Sequence, residues 1–87
     1  MVEKTVVVVV EPGLQASAAA GFVQKANSFS AEIFLEKDNK RVNAKSIMGL
    51  LSLAIASGET VTLIGDGADD QAGIDALTAF LTEPTKV

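Results

Sequence analysis

The sequence contains no cysteine, no histidine, no tryptophan and no tyrosine. Without cysteine there is neither a disulfide scaffold nor a thiolate metal site. Without histidine there is no phosphohistidine, no imidazole metal ligand and no His-based catalytic triad. The missing Trp and Tyr leave four Phe as the only aromatic side chains, so the usual stacking and interface anchors are scarce. Basic residues are also few. Seven Lys and Arg stand against eleven Asp and Glu, for a formal charge of −4. An acidic chain of this kind is a poor partner for nucleic-acid phosphate. No long apolar run exists either. The longest spans Val6 to Val10, against the ~20 residues a membrane helix requires. The N-terminus lacks a basic stretch followed by an apolar core of secretory type, and a cytoplasmic location is the expectation.

What remains is 87 residues, 48% of them hydrophobic and 21% charged. That describes one small globular domain spanning residues 1–87. Neither a linker nor an internal repeat is visible.

Lys4 to Val10 is β-branched after its first residue and reads as a strand, halted by Glu11-Pro12-Gly13. Ala18, Ala19 and Ala20 with Phe22, Val23 and Ala26 at helical spacing predict a first helix, capped by Ser17 and ending near Asn27. Ala31, Ile33 and Leu35 alternate with polar residues. Asp38-Asn39 then turns the chain into Arg41-Val42-Asn43, which makes a hairpin. Ser46 opens a short helix from Ile47 to about Leu53. Thr60 to Ile64 is the fourth strand, closed by Gly65-Asp66-Gly67. Asp69 or Asp70 caps a last helix carrying Ile74, Leu77 and Leu81 on one face. The order β-α-β-β-α-β-α predicts an α+β fold in which a four-stranded sheet is covered on one face by helices, its other face open and polar.

Catalytic chemistry is hard to place. Lys45-Ser46, or Lys25 with Ser28, is the one conceivable nucleophile–base pairing, and residues this close pair often by chance. Asp66, Asp69 and Asp70 lack the spacing of a calcium loop, and Asp69 and Asp70 read as helix-start residues. The glycines form no phosphate-binding fingerprint. Gly49, inside a predicted helix, invites a reason such as close approach of another backbone or a partner. Five of the seven basic residues fall between Lys25 and Lys45, whereas 59–83 holds six acids and no base. A solvated surface accounts for most of these charges.

The informative segment is Asn43 to Ala54. A helix of one or two turns cannot bury Ile47, Met48, Leu50, Leu51 and Leu53 against a single sheet. Either some of them face outwards as a docking patch, or a neighbouring loop covers the whole helix. Ser46 likewise has two readings. It is a plain N-cap, or it accepts a phosphate at the positive end of the helix dipole, beside Lys45 and Lys40.

Gly13-Leu14-Gln15-Ala16, Val23 to Asn27, Phe34 to Lys37 and Val42 to Leu53 resemble the HPr family of phosphocarriers. Lys45-Ser46-Ile47-Met48-Gly49 resembles the branch with regulatory serine phosphorylation and, within it, the catabolite-repression paralogues of Bacillus-type Firmicutes. The resemblance spans nearly the whole chain. It implies an open-faced β-sandwich of four antiparallel strands with three helices on one face. Gln15 stands where the family carries its phosphohistidine, so relay of phosphoryl groups is not expected. The resemblance implies phosphorylation of Ser46 by HPr kinase/phosphorylase, followed by corepression with the LacI-type catabolite control protein. Ile47, Met48 and Leu51 would form the patch met by both partners, with Ala20 and Val23 beside it and Gln15, Ser17 and Lys45 at its margin. Ser17 and Ala18 depart from the Arg and Pro usual in the family, so the partner contact that Arg makes has no counterpart. No enzyme activity, metal or cofactor is expected. An alternative is a protein that modulates a metabolic enzyme through the unphosphorylated patch, and another is a divergent HPr without carrier activity. The valine-rich first strand and the Pro12 hinge allow a monomer in exchange with a strand-swapped homodimer.

Overall fold

The computed structural model describes residues 1–10, 13–14 and 16–82. Its elements are β1 (Val2–Val7), α1 (Ala16–Ala26), β2 (Glu32–Lys37), β3 (Lys40–Asn43), α2 (Ile47–Ser52), β4 (Thr60–Asp66) and α3 (Asp70–Thr82). All pairings are antiparallel, in the order β1-β4-β2-β3. β4 therefore inserts between β1 and β2, the split arrangement predicted from the element order.

The alternation in the second strand does what the sequence requires. Ala31, Ile33 and Leu35 are buried, and Leu35 lies between Val42 and Leu63 on its two neighbours. Asp38 and Asn39 both take positive φ, 51° and 67°. This is the backbone of a tight two-residue hairpin turn, and Asn and Asp tolerate it better than most residues. The three helices lie over this inner face, where Phe22, Leu50, Ile74 and Leu77 are fully buried. Phe22 meets Phe80 edge-on at 5.7 Å, which ties α1 to α3. The opposite face carries the Thr5–Thr62 hydroxyl pair at 3.3 Å, together with Glu36 and Arg41.

Several expected boundaries move. β1 starts at Val2 and ends at Val7 rather than running to Val10. Beyond it the chain is still tied down, with Val8 N donating to Glu59 O at 2.8 Å and Val9 N to Leu81 O at 2.7 Å. α1 begins at Ala16, so Ser17 is a helical residue and not the cap. β4 continues through Gly65, which is strand and not turn. A Cβ there would stand 2.9 Å from Ile74 Cγ1, so this glycine admits α3 against the sheet. Gly49 is explained within the chain: a Cβ would lie 3.1 Å from Val42 Cβ.

The start of α3 divides its duties between two aspartates. Asp69 O accepts the first helical hydrogen bond, from Gly73 N. Its carboxylate turns away from the helix, to take the amides of Ser30 at 2.9 Å and Ala31 at 2.8 Å. Those bonds, Ser30 first, hold the Asp69 carboxyl below its ordinary pKa. Glu59 is lowered too, by the Lys37 ammonium first and the Ala56 amide second. A carboxylate whose folded pKa is depressed contributes stability above its ordinary range and loses it as pH falls through the folded value. Denaturant unfolding should therefore show full stability at neutral pH, and a decline beginning only as pH drops into and below the ordinary carboxylate range. Asp69→Asn should be less stable at neutral pH, with a shallower acid decline. An unchanged acid limb would remove Asp69 from this role.

Ala54 follows the last residue of the α2 cap, Leu53, and takes φ +50°. That left-handed position costs an L-residue about 1–2 kcal/mol and is commonly glycine. Ala54 is exposed, so Ala54→Gly loses no burial. The variant should be more stable by about 0.5–1 kcal/mol in denaturant titration, after the greater freedom of Gly in the unfolded chain is deducted.

Candidate functional site

The segment entering α2 is shaped by two side chains. Asn43 Oδ1 accepts from Lys45 N at 2.8 Å and Asn43 O from Ser46 N at 3.0 Å, which turns the chain sharply out of β3. Ser46 then adopts an extended backbone, φ −113° and ψ 112°. Its hydroxyl accepts from Gly49 N at 3.2 Å, the bond expected of an N-cap. Among the described residues this is the only hydrogen bond the Ser46 hydroxyl makes, and none of them serves as a base for its proton. Asn43 was not singled out from the sequence. The signal was present, as an Asx-type turn residue directly before a cap.

α2 settles the choice between a covered helix and an outward one. Leu50 is fully buried and Leu53 nearly so, whereas Met48 is 74% exposed, Leu51 41% and Ile47 39%. Six residues make a helix of about 9 Å, and only one side of it reaches the core. Ile47, Met48 and Leu51 thus share one exposed apolar surface immediately after Ser46. α1 packs alongside α2, with Val23 half-buried and Ala20 and Ser17 exposed. Gln15 lies outside the described residues, as do Glu11 and Pro12 of the expected hinge.

The basic cluster is less free than its spacing suggests. Lys45 Nζ donates to Phe29 O at 2.7 Å. Lys37 Nζ donates to Leu53 O at 3.1 Å and pairs with Glu59 at 2.8 Å. Arg41 pairs with Glu36 at 3.2 Å and stands 6.0 Å from the centre of the Phe34 ring. Lys40 lies not beside Ser46 but at the far end of α2, where Lys37, Lys40, Ser52 and Ala54 line a shallow cleft of about 300 Å³. The Ser28 hydroxyl donates to Lys25 O at 2.6 Å, a backbone cap and not a nucleophile–base pair. No helix among the described residues is long and apolar enough to cross a membrane.

The family profile described as "PTS HPr component phosphorylation site" matches residues 2–83. The HPr-like protein Crh of Halalkalibacterium halodurans is 63% identical over 81 residues, covering 93% of this chain and 96% of that protein. The crystal structure of a phosphocarrier protein HPr from Bacillus anthracis superposes with a TM-score of 0.92 at 52% identity, over 93% of this chain and 96% of its own. Crh of Bacillus subtilis, whose crystal structure reveals an unexpected swapping domain in a dimer, matches with a TM-score of 0.75 at 54% identity, over 93% of each chain. Proteins of this group are phosphocarriers and their relatives rather than enzymes. With its open-faced sandwich, its capped α2 and these similarities, the chain belongs to the HPr family of the phosphotransferase system and is similar, within that family, to the HPr-like protein Crh.

Proposed function

We propose that this protein is a non-enzymatic regulator of carbon catabolite repression, switched by phosphorylation of Ser46. HPr kinase/phosphorylase adds the phosphate, and the phosphorylated protein is corepressor of the LacI-type catabolite control protein. The observation that carries the reading is a half-buried serine hydroxyl with no base among the described residues, set directly beside the exposed Ile47–Met48–Leu51 surface. The kinase must supply the base. The hydroxyl oxygen then bonds to the γ-phosphorus of ATP, ADP leaves, and the proton passes to the enzyme. The product adds ~1.5–2 negative charges next to an apolar patch. A cationic side chain of the repressor meets the phosphate while Ile47, Met48 and Leu51 enter an apolar groove. Ala20 and Val23 flank that contact, Ser17 and Lys45 border it, and the family resemblance adds Gln15 to the same surface.

The chain has no histidine, so it cannot hold a phosphohistidine. The family resemblance places Gln15 at the carrier position. The protein works in the cytoplasm as a monomer in exchange with a strand-swapped dimer. Support for the exchange comes from the swapped Bacillus subtilis relative and from β1 lying at the edge of the sheet.

Intact-mass spectrometry after incubation with ATP and the kinase tests the switch. One phosphate is expected on the native protein and none on Ser46→Ala, with repressor binding detectable only for the phosphorylated form. Phosphate on Ser46→Ala, or repressor binding by it, overturns the reading. The exposure of Met48 without any phosphate favours one second reading, in which the unmodified patch docks on a metabolic enzyme. Here a charge at Ser46 is an off-switch, and Ser46→Asp should abolish the enzyme contact.

A further inference from the structure

We propose that Met48 is a reversible oxidation site through which peroxide switches off the docking surface that phosphorylation of Ser46 switches on. The inference rests on the docking reading above. With no Cys, His, Trp or Tyr in the chain, its two methionines are the side chains most readily oxidised. They sit in different places. Met1 lies at the start of β1, where its amine faces Asp70 at 3.4 Å. Met48 is 74% exposed at the centre of the α2 patch, between Ile47 and Leu51, which hydroperoxides do not oxidise. Its sulfur is therefore the one oxidisable atom on that surface.

The step is a two-electron oxygen transfer from hydrogen peroxide. The thioether sulfur bonds to one peroxide oxygen as the O–O bond breaks, and the other oxygen leaves as water after taking up the proton. Sulfur is oxidised to the sulfoxide and the peroxide is reduced. Methionine sulfoxide reductase, drawing on a thiol reductant, reverses it. The fold does not depend on this side chain, because Leu50 and Leu53 carry the burial of the helix. Docking does depend on it. A sulfoxide puts a strong acceptor where the partner offers an apolar groove, and a polar group buried without a hydrogen bond weakens association. Methionine suits an adaptable contact surface for the same reason it is vulnerable there: its sulfur is soft and polarisable.

The test uses the Ser46-phosphorylated protein, treated with hydrogen peroxide and then catalase before the repressor is added. Peptide mapping reads the sites, and calorimetry reads the affinity. One oxygen atom is expected on Met48, with roughly ten- to hundredfold weaker binding, an unchanged circular dichroism spectrum, and recovery on treatment with the reductase. Met48→Leu has its own starting affinity, and peroxide should not shift that value although Met1 still gains oxygen. Unchanged affinity with Met48 fully oxidised overturns the proposal. So does an equal peroxide-induced loss in Met48→Leu. If the phosphorylated, untreated protein fails to bind the repressor, the docking reading itself has failed, and the untreated sample alone reveals that.

Discussion

Met48→Asp should weaken binding of the Ser46-phosphorylated protein to the catabolite control protein by about a hundredfold. The residue exposes 74% of its surface, the largest share in the patch, so most of it is available for a partner to cover. A carboxylate there must be desolvated on docking and lies near the phosphate, so an apolar groove and a cationic partner side chain are both poorly served. The folded protein should hardly register the change. Surface substitutions away from special features shift stability by about 0.5 kcal/mol or less, and an acidic residue in the first turn of a helix is electrostatically acceptable. The measurement is paired: thermal unfolding and phosphate incorporation to show an intact, modified protein, then calorimetric titration with the repressor. Full affinity in a folded, phosphorylated Met48→Asp protein would take α2 out of the contact surface altogether.

The legibility of this site had a simple basis. A helix of a few residues holding five large apolar side chains cannot satisfy them all on one side, and Ser46 before it carries the side chain of a cap. Both statements concern neighbours in the chain. The structure buries Leu50 and Leu53 and leaves Ile47, Met48 and Leu51 outside, a division that spacing alone left open. Local chemistry also sufficed for the Asp38-Asn39 turn and for the alternation through Ile33 and Leu35.

What could not be read lies across the fold. Val6 to Val10 is uniform in composition, so its alternation is invisible in the sequence. In the structure Val6, Val8 and Val10 are buried while Val7 and Val9 face outwards. Lys45 stood beside Ser46 in sequence, yet its ammonium is taken by Phe29 O, sixteen residues away. Lys40 was grouped with them by charge, but the hairpin carries it to the opposite end of α2. Asp69 or Asp70 is expected to cap the last helix; Asp69 stands at its start, but its carboxylate holds the loop before β2. For Lys45 and Asp69 a tertiary partner outcompeted the local one, and for Lys40 the course of the hairpin decided its place. Glycines divide the same way. Gly65 resembles a turn residue next to Asp66-Gly67, and only the packing of Ile74 against it explains the strand.

Gly13 shows the most demanding of these long-range constraints, and Gly13→Ala should be the most destabilising single-methyl change in the chain. Gly13 bridges to Ala56 as a short antiparallel pair, and the next residue continues the contact, with Leu14 N donating to Ile55 O at 3.0 Å. A Cβ on residue 13 would stand 2.3 Å from Ile55 O and 2.7 Å from Ala56 Cα. Both are backbone atoms, so no side chain can rotate away. The φ of +137° is nearly closed to any residue with a Cβ. Relief requires the two segments to part, which breaks the Leu14–Ile55 bond and opens the burial of Leu14 and Ile55, both fully buried. Backbone strain of about 1–3 kcal/mol and overpacking of about 1–3 kcal/mol combine here. The expected loss is therefore about 3 kcal/mol or more, a large part of the ~5–15 kcal/mol that holds a domain folded. Because this contact leads directly into α1, beside the patch, hydrogen exchange should show its amides opening before those of β4. Gly58→Ala is the control: its φ of +93° also disfavours a side chain, but no atom lies within 4 Å of the added Cβ. It should lose only the strain, about 1–2 kcal/mol. Equal destabilisation of the two variants in denaturant titration would mean that backbone conformation, and not the approach of Ile55 and Ala56, sets the requirement at Gly13.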